Sequence, residues 1–316
     1  MPRKLIIDCD PGIDDAIALA LALFDPRLEI LAVTSCSGTV EAEKSTQNLQ
    51  AIVELLDPPR HPRIGAGTDP EDAAIGDGRQ LHGQDGLGNI ELQPIGRQHV
   101  LTSEKLIADQ LRSNPGDVTI LCLGPLTGVA RAFQRDPSLM KSVDRIVMSG
   151  GALDGIGDVT SIAEFNMHFD PTSAASVFRS PTTKTLVPLE VCRQLSFGLE
   201  IIDHLPPKYT RVGKLLHQVV PFFLRSHRQI RASESICLPA VIALLNVTEP
   251  TLFQTQEAFV EIEELGQMTR GATLVDRRGF GMHRRNMEVA TVVDVDSARD
   301  SLLNALKFAG QASEGA

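Results

Sequence analysis

The sequence predicts an α/β fold: a doubly wound, mostly parallel central sheet with helices on both faces. Three observations predict it. Short β-branched runs alternate with longer helix-patterned segments, the βαβ signature. The runs are apolar almost throughout, as strands covered on both faces require. Polar or glycine-rich turns follow several of them, where the carboxyl ends of parallel strands would form one edge.

Taken in order, residues 4–9 form the first strand on Leu5, Ile6 and Ile7, and residues 14–24 a helix with acids in its first turn. A strand over 28–34 and a helix over 41–56 follow. Residues 66–96 break the rhythm with Gly, Asp and Pro, the composition of a functional loop. Strands over 117–123 and 143–148 bracket a helix over 126–134, and a helix over 171–178 precedes a strand over 183–187. Residues 205–245 read as mainly helical. Late strands are expected over 259–263, 272–276 and 288–293, with a closing helix over 297–308. Neither an internal repeat nor a low-complexity linker divides the chain, so one domain over 1–316 is expected.

With 42% hydrophobic and 22% charged residues, the composition is that of a soluble globular protein. A net charge of -10 and an aromatic content of 4% argue against nucleic-acid or anionic-membrane partners. The longest apolar stretches fall short of a membrane span, which needs roughly 20 residues. The N-terminus shows no signal-peptide pattern. Cys9, Cys36, Cys122, Cys192 and Cys237 are odd in number and mostly lie in apolar runs, which suits reduced thiols in a cytoplasmic protein.

Chemistry concentrates at the first strand's end, where Asp8, Asp10, Asp14 and Asp15 fall within eight residues. Carboxylates that close either shift their pKa values or share a cation. Capping and the helix dipole account for Asp14 and Asp15, but not for Asp10 converging with them; a hard cation held by carboxylate and carbonyl oxygens would. Asp8 and Asp10 are expected on the same side of the strand by alternation. A phosphatase built on Asp8-Cys9-Asp10 would need a hydroxyl residue shortly afterwards, and Pro11-Gly12-Ile13-Asp14 supplies none.

The strings IIDCDPGIDDA (6–16), HGQDGLG (82–88), LGPLTG (123–128), MSGG (148–151) and VTSIAEFNMHFDP (159–171) resemble, in family order, the inosine–uridine-preferring nucleoside hydrolases. The resemblance implies hydrolysis of the N-glycosidic bond of a small-molecule ribonucleoside to ribose and free base. It implies Ca2+ held by Asp10, Asp15 and the carbonyl of Leu123, with Asp10 deprotonating the attacking water. Asp14 would bind a ribose hydroxyl, Met148, Glu164 and Asn166 the ribose and its 5′-hydroxyl, and His82 would lie near the base. It further implies a homodimer or homotetramer.

Departures from the family pattern cluster late in the chain. The usual His-Asp pair reads Cys237-Leu238, which removes one acidic ligand and weakens calcium binding. Cys237 would then be either a variant catalytic group or a small buried residue, and Glu234 a substitute carboxylate. Thr39 stands near the usual loop asparagine, and Asp158 replaces the asparagine that binds the 5′-hydroxyl. His217, His227 and Arg228 read mostly as surface residues and His168 as structural. The alternative function is a weakened or inactive relative that binds a nucleoside or ribose-like ligand.

Overall fold

In a computed structural model that describes residues 1–71, 79–90, 92, 100–278 and 284–314, the N-terminal half alternates strands and helices. It runs β1 (Arg3–Cys9), α1 (Ile13–Ala22), β2 (Leu28–Ser35), α2 (Ala42–Leu56), β3 (Arg63–Gly65), α3 (Arg79–His82) and α4 (Ser103–Ser113). Next come β4 (Val118–Cys122), α5 (Thr127–Arg135), β5 (Arg145–Ser149), α6 (Phe165–Phe169), α7 (Pro171–Arg179) and β6 (Lys184–Val187). The remainder holds α8 (Leu189–Cys192), β7 (Ser196–Phe197), α9 (Arg211–Arg231), β8 (Ile236–Cys237) and α10 (Pro239–Thr248). It closes with β9 (Phe253–Ala258), β10 (Val260–Ile262), β11 (Thr273–Val275), β12 (Met287–Val293) and α11 (Val295–Ala312).

Eight strands form one sheet in the order β3-β2-β1-β4-β5-β6-β12-β9, parallel except for the antiparallel β12–β9 pair. From β1 the chain winds outward to β3, then returns to β4 on β1's other side. The order therefore reverses between β1 and β4, where a crevice opens at the strands' carboxyl ends. Along β1, Leu5, Ile7 and Cys9 enter one core cluster and Ile6 the other, so each face is covered. Helix α1 is buried along nearly its whole surface, and packs against α9 and α10. Among the described residues, no helix is long and apolar enough to cross a membrane.

Three details that the sequence did not show have local causes. The stretch 205–245 is mainly helical as expected, but it is interrupted: α9 ends where Ala232 adopts a left-handed φ of 50°, and α10 restarts on Pro239 after the short β8. Strand β9 escapes the sequence because it is an edge strand, with Gln254, Thr255, Gln256 and Glu257 facing solvent. β3, also at an edge, spans only three residues, too few for a pattern.

Candidate active site

The floor of the crevice is built on the turn between β1 and α1. Asp10 lies one residue beyond β1, and its Oδ2 accepts from the Thr39 amide at 2.7 Å and the Thr39 hydroxyl at 2.9 Å. Two glycines make room for it. A Cβ on Gly38 would sit 2.2 Å from Asp10 Oδ2, and one on Gly124 would sit 2.4 Å from Oδ1. Asp15, in the first turn of α1, accepts from the Gly12 amide at 3.4 Å. Half-buried Asp14 accepts from the Ala240 amide at 3.4 Å, which ties the floor to the start of α10.

Electrostatics there are severe. Burial pushes the Asp10 carboxyl up to about 7 against the Thr39 hydrogen bonds, and the charge on Asp14 pushes the same way. Asp15 is raised well above the carboxylate range by burial first, then by Asp10 and Asp14. Asp8 does not join them. Because Asp10 has left the strand, alternation no longer aligns the two side chains. Asp8 Oδ1 accepts from the Thr34 hydroxyl at 2.6 Å, and its Oδ2 is buried without a hydrogen-bond partner.

The neighbouring wall comes from the turns after β4 and β5. Asn166 Nδ2 donates to the Leu123 carbonyl at 2.8 Å and to the Ser149 carbonyl at 3.1 Å, which joins the two strand ends. Glu164 caps α6: its Oε2 accepts from Met167 at 3.1 Å and from Gly151 at 3.0 Å. Burial and then the charge of Asp158 raise its carboxyl to about 8. Asp158 Oδ1 accepts from the Phe165 amide at 2.9 Å; burial raises this carboxyl, while Arg231 and Arg193 oppose the shift. Met148 is fully buried in the core cluster on the sheet's other face, and the adjacent Ser149 lines the cavity.

The roof comes from α3, α9 and the β7–β8 pair. His82 Nδ1 accepts from the Ile13 amide at 2.9 Å, so the imidazole hangs over the start of α1. Its ring centre lies 5.1 Å from Phe223, which meets His227 edge-on at 4.3 Å. His227 Nδ1 donates to the Phe223 carbonyl at 3.0 Å, and burial lowers its pKa to about 4. His227 is therefore a buried, neutral cavity residue and not a surface one. Half-buried Cys237 faces the cavity, and burial raises its thiol against the pull of Arg193 and Arg231. Leu238 is fully buried in the core at the start of α10. Glu234 is exposed and paired with Arg228 at 3.3 Å, away from the aspartates.

Together these elements enclose about 690 Å³, lined by Asp10, Asp14, Asp15, His82, Asp158, Glu164, Asn166 and Cys237. Sequence reasoning missed Phe223, Arg231 and Arg193 as cavity residues. A signal for the roof existed: Phe223, His227 and Arg231 recur every four residues, on one face of α9. Arg193 gives no such pattern.

Buried Asp10 and Asp15 have no Lys or Arg ion pair among the described residues, and both are oxygen ligands lining one cavity. That fits a hard divalent cation. Among the described residues no three His, Cys, Asp or Glu side chains converge as metal ligands; Leu123 lines the same cavity as the aspartates. Leu238 contributes none.

Comparison with known proteins agrees with this geometry. The model of the family "Inosine-uridine preferring nucleoside hydrolase" matches residues 5–300. The chain is 34% identical to the pyrimidine-specific ribonucleoside hydrolase RihA of Escherichia fergusonii over 314 residues, 98% of this chain and 99% of the relative. Among solved structures, the purine-preferring ribonucleoside hydrolase from Gardnerella vaginalis superposes with a TM-score of 0.89 at 26% identity, covering 99% and 100% of the two chains. A plant nucleoside hydrolase superposes with a TM-score of 0.88 at 26% identity over the full length of both. With its crevice at the β1–β4 reversal and its buried aspartates, the chain belongs to the inosine-uridine preferring nucleoside hydrolases, enzymes that cleave the N-glycosidic bond of ribonucleosides.

Proposed function

We propose that Asp10 is the base of this hydrolysis, and that the whole chain, 1–316, works as one domain around it. The observation that carries the reading is the held carboxylate: Thr39 fixes Oδ2 by two hydrogen bonds at the floor of the cavity, which keeps the group in place to take a proton from water. Nucleoside hydrolases of this family are metal-dependent. We assign the role to Ca2+, with Asp10, Asp15 and the Leu123 carbonyl as holders; it would lower the pKa of a nearby water and grip the ribose hydroxyls.

The remaining residues act on the sugar and the base. Asp14 accepts from a ribose hydroxyl, and Asn166 and Glu164 meet the ribose from the β5 side. Glu164, protonated below about 8, donates a hydrogen bond without adding charge. As the bond breaks, positive charge grows on the sugar, and the fixed carboxylates stabilise it without reorganising. His82 and His227 form the apolar, neutral side of the base pocket. Cys237 keeps its proton and offers a hydrogen bond to the departing base. Missing one acidic ligand at Leu238, the enzyme needs more calcium than a full ligand set would.

Curated relatives at 33–34% identity bear pyrimidine-specific names, so uridine and cytidine are the first substrates to test. A cytoplasmic location is supported by the five free thiols, and a homodimer or homotetramer by the family resemblance. The test is base release from uridine with calcium present. Asp10→Asn should lower kcat by about 10²–10⁴-fold. A variant with undiminished kcat overturns the assignment.

A further inference from the structure

The two histidines of the roof are locked in opposite tautomers. His82 Nδ1 accepts from the Ile13 amide at 2.9 Å, so that nitrogen carries the lone pair and Nε2 carries the proton. His227 Nδ1 lies 3.0 Å from the Phe223 carbonyl, an oxygen that only accepts, so here Nδ1 carries the proton and Nε2 the lone pair. Burial lowers the pKa of both rings, which keeps each neutral near neutral pH and each tautomer distinct. Neither Nε2 has a hydrogen-bond partner among the described residues, and both rings line the cavity. The ring faces are apolar, but the edges thus offer one donor, His82 Nε2–H, and one acceptor, His227 Nε2. Phe223 packs against both, 5.1 Å from one ring centre and 4.3 Å from the other, and holds them in place. His227 is only 7% exposed, so little water can replace a missing partner at its acceptor.

We propose that His227 is a specificity-determining residue: its Nε2 selects ribonucleosides whose base carries an N–H beside a carbonyl on the edge away from the sugar. The inference rests on the nucleosidase reading of the cavity. Uracil presents such an edge as N3–H beside O4, and hypoxanthine as N1–H beside O6. The N–H donates to His227, and the neighbouring carbonyl accepts from His82. Cytosine reverses the order, with its amino group donating and N3 accepting, and is the weaker match. Of the polar groups that the roof turns to the base, His227 accepts while His82 and the protonated Cys237 donate. A base without the N–H leaves a buried acceptor unpaired, which a pocket built on ring packing alone would not penalise.

The test compares kcat/KM for 3-methyluridine, which lacks the N–H, with that for 5-methyluridine, which has the same bulk and keeps it, using the full chain with calcium. 3-Methyluridine should fall about tenfold below 5-methyluridine, the cost of an acceptor left unpaired. Inosine and 1-methylinosine repeat the comparison on a purine base. In His227→Leu the preference for the N–H compound should drop by about tenfold, and in His82→Leu it should hold. Each preference is a ratio within one protein, so the fraction folded cancels; if His227→Leu does not fold, the wild-type ratios decide. N-methylated compounds cleaved as well as those with the N–H, an unchanged ratio in His227→Leu, or an equal drop in His82→Leu overturns the assignment. If neither uridine nor inosine is cleaved above the Asp10→Asn background, the nucleosidase reading fails. Calorimetric binding of the same compounds then decides the role of His227: tighter binding of the N–H compounds, lost in His227→Leu, supports it, and equal binding overturns it.

Discussion

Floor and roof of the cavity are built in opposite ways. The floor hangs on main-chain turns at the ends of β1, β4 and β5, where Thr39, Gly12, Gly151 and Met167 amides hold carboxylates in place. The roof is ring packing between His82, Phe223 and His227, borrowed from α3 and α9. The floor is thus suited to fixing reacting groups and the roof to fitting a base. Substitutions should separate along that line: floor changes act on kcat, roof changes on KM.

Gly38→Ala should have the largest effect. Its Cβ would meet Asp10 Oδ2 at 2.2 Å, so the carboxylate must move. A displacement near 1 Å costs about 10²-fold in rate, and the overpacking a further ~1–3 kcal/mol of stability. A full kcat in this variant would show that Asp10 need not be held. Next comes Phe223→Ala in the roof. Removing a ring that is 3% exposed costs roughly 3 kcal/mol, the low end for a core phenylalanine because the ring already borders a cavity. It should raise KM more than it lowers kcat, and a dominant kcat loss would erase the distinction between the regions.

Taken per pH unit, the smallest effects are in the pH dependence of stability, with opposite signs. Glu164 has a folded pKa of about 8, above its ordinary 4.5, so the folded state holds the extra proton and stability falls as pH rises between those values. His227 has a folded pKa of about 4, below its ordinary 6.5, so stability falls as pH drops between those values. One proton contributes at most about 1.4 kcal/mol per pH unit. Glu164→Gln should flatten the alkaline limb of a Tm–pH profile and His227→Gln the acid limb. Unchanged limbs in both variants would show that these shifts do not couple to folding.

The same division explains what the sequence made legible. Floor residues sit in contiguous strings, because a turn between a strand and a helix carries its chemistry within a few positions: Asp10, Asp14 and Asp15 at one turn, Glu164 and Asn166 at another. The parallel core was legible for a related reason, since two-faced burial leaves near-continuous apolar runs such as that of β4. Roof residues come from elements far apart in sequence, and only packing reveals that His82 reaches Phe223. Glu234 illustrates the converse: it lies three residues from Cys237, yet it pairs with Arg228 and never approaches the cluster. Edge strands were hidden because one water-facing side dilutes the apolar signal.

The last strand has a consequence for how the chain comes to be folded. β12, at residues 287–293, lies between β6 and β9 in the sheet. During synthesis, β6 must wait about a hundred residues for its neighbour, with its edge unpaired and its four buried residues lacking cover. A nascent chain stalled before Met287 would expose that unpaired edge and invite strand pairing with other chains. This fold therefore makes late elongation, and not emergence of the catalytic turn near the N-terminus, the hazardous stage of its biogenesis.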